Sequence, residues 1–91
     1  MTVWIEHTVQ VWKEGGTYVA RAVPLDVMSC ADSPDDARKN LNEAVELFLK
    51  TAAGHGTLVD VLEESGYVRE GDLWRAPTLL LSETVTQSVH A

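Results

Sequence analysis

The chain has 91 residues, 45% of them hydrophobic and 23% charged, which fits one folded domain with a thin core and leaves no room for two. Seven Lys and Arg stand against fourteen Asp and Glu, for a net charge of −7. The cations are scattered, which argues against direct nucleic-acid binding, since phosphate backbones need clustered Lys and Arg.

No apolar run approaches the ~20 residues of a membrane span. The opening Met-Thr-Val-Trp-Ile-Glu lacks a signal-peptide pattern, and the single Cys30 cannot form an internal disulfide. The expectation is a cytoplasmic chain. The acidic excess suits a basic protein partner, or serves solubility alone.

Val3, Ile5, His7, Val9 and Val11 alternate with Trp4, Glu6, Thr8, Gln10 and Trp12. Period two with β-branched residues predicts a half-buried strand. Lys13-Glu14-Gly15-Gly16 predicts a hairpin turn, Thr17 to Val23 a second strand, and Asp26 to Cys30 a short third one. Pro24 cannot donate to a ladder and belongs at a strand end or bulge. The three strands should form one antiparallel sheet.

Ser33-Pro34-Asp35-Asp36 predicts a helix start. The Ser33 hydroxyl serves as N-cap, Pro34 needs no N–H at N1, and both aspartates meet the positive end of the helix dipole. Asp36, three residues past Ser33, makes a variant capping box with Asp in place of Glu or Gln. The helix should run from about Pro34 to about Ala53, burying Ala37, Leu41, Ala44, Val45, Phe48 and Ala52. Leu47 and Leu49 widen that stripe, which predicts a second packing surface.

Gly54-His55-Gly56 ends this helix. Thr57 then predicts an N-cap with Asp60 at N3, Leu58 to Leu62 a short second helix, and Gly66 its C-terminal stop. Tyr67 to Arg75 reads as a small hairpin or an extended arm. Past Pro77, Thr78 to about Val85 predicts a last strand with Leu79, Leu81 and Val85 on one face, and a tail frayed after about residue 86. The expected fold is α+β: a small antiparallel sheet in β-β-β-α-α-β order, with one main helix across one face and residues 1–91 as a single domain.

Tyr18-Val19-Ala20, Pro24-Leu25-Asp26-Val27, Ser33-Pro34-Asp35-Asp36-Ala37 and Asn40-Leu41-Asn42-Glu43-Ala44-Val45-Glu46-Leu47-Phe48-Leu49 together resemble the HicB family of antitoxins, over about a third of the chain. The later Leu-Glu-Glu-Ser-Gly-Tyr, Trp74 and Ala76-Pro77 are similar to solitary HicB-like proteins. The resemblance implies a partial ribonuclease-H-like fold and a non-enzymatic role: binding and blocking a small basic RNA-cleaving toxin of the HicA type, as a homo-dimer or larger oligomer. Full-length members add a C-terminal DNA-binding domain. Here no basic DNA-reading helix follows Pro77, so the chain resembles the short solitary form.

The residues offer few catalytic constellations. Asp32, Asp35 and Asp36 form an acidic cluster, but capping accounts for two of them. A metal nuclease would need carboxylates gathered from several elements. His7 reads as a partly buried, hydrogen-bonded histidine, His55 as a turn residue, and Cys30 as a small semi-buried residue with no base beside it. Ser29 and Ser82 have no identifiable triad partners, and no phosphate-cradling glycine motif or cofactor motif is present.

Candidate interface residues are therefore the tryptophans and the acidic groups. If the odd face of the first strand meets the helix, Trp4 and Trp12 point the other way. They then form a partner or dimer surface, or lie under the C-terminal arm with Trp74 or Leu80 over them. Asp32, Asp35, Asp36, Glu43 and Glu46 would attract a basic face, and open sheet edges would invite pairing. Two alternatives stand beside the antitoxin reading: a toxin-free structural or regulatory homo-oligomer, and a metal-dependent nuclease.

Overall fold

The computed structural model describes residues 2–90. The fold is α+β, with six strands, two helices and two three-stranded sheets among the described residues. In chain order the elements are β1 (Trp4–Ile5), β2 (Thr8–Glu14), β3 (Thr17–Val23), β4 (Val27–Ala31), α1 (Pro34–Gly54), α2 (Leu58–Glu64), β5 (Val68–Glu70) and β6 (Leu73–Arg75).

The larger sheet is antiparallel in the order β2-β3-β4. Glu14 faces Thr17 across a two-residue turn, and Gly15 takes φ +62° at its first central position, where any side chain would be strained. Pro24 follows the last residue of β3, as expected, after a cis peptide bond. Asp26 completes the turn at φ 63°, a conformation Asp tolerates better than most residues. Its carboxylate accepts from Arg21 Nε at 2.8 Å, and its N–H donates to Ala22 O at 2.8 Å.

The smaller sheet has the order β1-β6-β5. Here β1 runs parallel to β6, and β5 and β6 form the expected hairpin. The first strand is thus split rather than continuous. Its side chains keep period two through the break, with Val3, Ile5, His7 and Val9 half-buried and Trp4, Glu6 and Thr8 exposed. Its ladder partners change. The Glu6 N–H donates to Trp74 O at 3.1 Å and the Glu6 carbonyl accepts from the Tyr67 hydroxyl, so Glu6 belongs to the small sheet while Thr8 pairs Val23 in the large one.

At the start of α1, Ser33 Oγ accepts from Asp36 N–H at 3.1 Å. The return bond of a full capping box is not among the bonds formed, because an Asp side chain is one methylene shorter than Glu. Both helices close with the same pair of bonds. Gly56 and Thr57 N–H donate to Ala53 and Ala52 carbonyls, and Gly66 and Tyr67 N–H donate to Glu63 and Leu62 carbonyls, with Gly56 and Gly66 at positive φ. Thr57 begins α2 as expected but makes no side-chain cap, since its hydroxyl donates back to Ala52 O at 3.3 Å.

Helix α1 covers one face of the large sheet. Ala37, Leu41 and Val45 meet Ala20 and Ala22, and Leu25, Leu62, Tyr67 and Trp74 complete one core cluster. Small alanines on β3 let the helix approach closely, and Leu41 and Leu62 are fully buried. The expected last strand over 78–85 is absent. Residues 76–90 belong to no helix or strand and are exposed except for half-buried Ala76. The pattern for a strand is present there, but a strand needs a ladder partner, and Pro77 removes one donor at the point of entry. Nor, among the described residues, does anything pack over Leu47, which is exposed beside an open groove of about 520 Å³ lined by Val27, Phe48, Ala52 and Val61.

Candidate functional site

The sheet register fixes which side chains share a face. Ala20 and Ala22 point at α1, so their cross-strand partners Val9 and Val27 share that side. The intervening residues point away. Trp12 pairs with Val19 and Val19 with Cys30, giving one row; Gln10 pairs with Arg21 and Arg21 with Met28, giving the next. No helix lies over these rows. Met28 and Cys30 are exposed, Trp12 is half-buried, and Val19 is covered by its neighbours within the sheet. Exposed apolar surface of this kind marks interaction sites in soluble domains.

The expected interface tryptophans therefore separate. Trp12 lies on the uncovered face of the large sheet. Trp4 is 66% exposed but belongs to the small sheet. Trp74 is only 6% exposed and sits in the core cluster, with the Arg69 guanidinium 5.7 Å from its ring centroid. Its place is structural, so the expected interface role for Trp74 does not fit, and it does not cover the other two tryptophans. Cys30, expected semi-buried, is exposed on the same face as Trp12.

The acidic candidates Asp32, Asp35, Asp36, Glu43 and Glu46 are all exposed along the start and outer side of α1. Helix α1 is nearly neutral, however: its four carboxylates are matched by Arg38, Lys39 and Lys50. Glu46 is held by Lys50 at 2.9 Å, and hydrogen bonding and charge from Lys50 lower its pKa. The acidic excess is instead densest from α2 through β6. There Asp60, Glu63, Glu64, Glu70 and Asp72 face only Arg69 and Arg75, and Arg75 is already paired with Glu70. Summing charge element by element would have exposed this bias in the sequence.

Near the break in strand one, Glu6, His7, Arg38, Arg75 and Ala76 border an open groove of about 800 Å³ with Pro77 to Leu79. His7 is half-buried, as expected, but its Nδ1 has no hydrogen-bond partner, so the expected bonded histidine is corrected. Burial first, and the Arg38 charge second, hold its pKa below the usual histidine value. Ala76 N–H donates to Glu6 Oε1 at 3.2 Å and fixes where the C-terminal segment leaves the body. Among the described residues, no three His, Cys, Asp or Glu side chains converge as a metal-binding group. No helix of the described residues is long and apolar enough to cross a membrane.

Comparison with family models, with curated proteins and with solved structures returned no match to this chain.

Proposed function

We propose that the chain is a HicB-like protein-binding module, with a partial ribonuclease-H-like architecture, that works by occluding a small basic RNA-cleaving partner. The observation that carries the binding role is the uncovered face of β2-β3-β4 opposite α1, where half-buried Trp12 and exposed Met28 stand on either side of β3, with Arg21 and the buried Val19 between them. Aromatic anchors of this type supply a large share of interface energy. The identity of the partner rests on the motif resemblance from Tyr18 to Leu49 and on the net charge of −7. Opposite net charge speeds and orients encounter. The concentration of carboxylates from Asp60 to Asp72 makes that region the better candidate for steering than α1.

A second reading, a toxin-free homo-oligomer, is favoured by the exposed apolar residues of the C-terminal segment. The two readings separate experimentally. The tagged chain is captured from its native host at low salt and the complex is weighed by native mass spectrometry. Any stoichiometric companion is then purified and assayed for RNA cleavage with and without the chain. A small basic protein whose cleavage stops on addition of the chain, but not of a Trp12→Ala, Met28→Ala variant, supports occlusion through this face. A homo-oligomer without a companion supports the second reading. Charge reversal at Glu63 and Glu64 should slow association at low salt more than reversal at Glu43 and Glu46, and equal on-rates would contradict the steering assignment.

A further inference from the structure

Residues 79–89 carry a strand pattern with no strand to join. Leu79, Leu81, Val85 and Val89 fall on one parity, with Glu83 and Gln87 between them, and the other parity is Ser and Thr after Leu80. These are residues that pack well on a pleated sheet with one face covered. Yet the four apolar residues are all exposed, Val89 by 87%, and Leu80 between them is 90% exposed. The segment is therefore not docked on its own body.

The dimensions of the chain carry the same message. Its radius of gyration is 15.6 Å, against about 12 Å for a compact domain of this length. Its accessible surface is 6797 Å², where a compact monomer of 10.0 kDa exposes about 5,200 Å². The excess is roughly 1,500 Å² per copy, or roughly 3,000 Å² for two. A stable interface needs about 1,600 Å² in total, so two copies hold enough unsatisfied surface to cover each other.

The receiving surface is also present. The large sheet ends at β2, a seven-residue strand whose outer hydrogen-bonding groups meet no other strand among the described residues. The C-terminal segment starts near that edge: Pro77, Thr78 and Leu79 border one small groove together with Thr8 and Gln10 of β2 and Val23 and Pro24 at the end of β3. Eleven extended residues span about 36 Å, enough to cover the full β2 edge at about 3.3 Å per residue. An unpaired edge and an unpaired strand-forming segment in one chain are the two halves of a strand exchange.

We propose that residues 79–89 of one copy add as a strand to the β2 edge of a second copy, reciprocally, giving a two-fold strand-exchanged dimer. The segment's main chain extends each sheet from three strands to four. Its Leu79, Leu81, Val85 and Val89 side chains cover apolar surface of the partner beside β2. This assignment stands on the segment and the edge alone and does not depend on the antitoxin reading.

The test uses the whole 91-residue chain. Light scattering after size exclusion at tens of micromolar should give twice the monomer mass. Amide exchange should show protection across 79–89 and along β2, both decreasing on dilution. A Leu81→Lys, Val85→Lys variant should be monomeric and lose both protections, while its far-UV spectrum and the protection of α1 are retained. The proposal is overturned by a monomer at that concentration, by a dimer that persists in the variant, or by protection of β4 in place of β2. Concentration-independent protection of 79–89 in a monomer would also overturn it, because the segment would then fold on its own copy. Should the variant fail to fold, the dilution series on the parent chain decides alone.

Discussion

Replacing Tyr67 by Phe removes one oxygen and tests how the two sheets are joined. Tyr67 is 5% exposed, and its hydroxyl donates to the backbone carbonyl of Glu6, at the point where the first strand leaves one sheet for the other. Phe fills the same volume, so the change isolates the hydrogen bond. Losing it, and leaving a half-buried carbonyl short of a donor, should cost about 1–2 kcal/mol at pH 7. A second signature lies at high pH. Burial chiefly, with the Glu6 charge adding to it, pushes the Tyr67 phenol up to about 12 from 10.0. Between those values the unfolded chain loses this proton while the folded chain keeps it. The unfolded state then binds fewer protons, so the contribution is complete below pH 10 and is lost as pH rises toward 12. At about 1.4 kcal/mol per unit, the parent should lose roughly 2–3 kcal/mol from this group by pH 12. The Phe variant should not. Urea unfolding of both proteins from pH 7 to pH 11.5 measures the difference, and other groups that titrate there largely cancel in the comparison. The variant's deficit should shrink as pH rises above 10. A deficit that stays constant across that range would refute the burial and bonding assigned to this hydroxyl.

Other perturbations follow from the caps and from the break in strand one. Gly66 ends α2 at φ +89° with Pro77 Cγ 3.4 Å from where a Cβ would sit, whereas Gly56 ends α1 at φ +72° with open space around it. Either change to Ala should cost about 1–2 kcal/mol from left-handed strain, and because Pro77 Cγ stands at ordinary contact distance the two losses should be similar in thermal melts; no loss at either position would contradict its positive φ. His7 has its pKa held low by burial and by Arg38, so the unfolded state binds its proton first and stability falls as pH drops through 6.5 and below. His7→Gln should flatten the melting temperature between pH 7.5 and pH 5, and an unchanged slope would place the imidazole in solvent.

Local signals were legible wherever the chemistry is local. Ser33-Pro34, Gly15, Gly56 and Gly66 each specify a cap or turn within a few residues, and the structure forms all of them. The helix stripe through Ala37, Leu41 and Val45 was legible because its period is fixed by the helix itself. Partner choice was not. Alternation from Val3 to Val11 gives the faces of a strand but not its neighbours, so the handover from β6 to β3 at Glu6 stayed hidden. The same limit explains residues 78–85, which hold a strand pattern while forming no strand within the chain. The place of Trp12 on the face away from α1 followed from parity. That of Trp74 did not, because a tryptophan in a three-residue strand has too little pattern around it to reveal which side is core.

Whether the uncovered sheet face holds a basic protein is read from the mass and activity of what the chain captures. Native mass spectrometry of the tagged chain captured at low salt, followed by an RNA-cleavage assay on the purified companion, reads both. The expected companion is a small basic protein in fixed stoichiometry, silent in the presence of the chain and active in the presence of the Trp12→Ala, Met28→Ala variant. A captured species that contains this chain alone, or a companion whose activity is indifferent to Trp12 and Met28, would contradict that expectation.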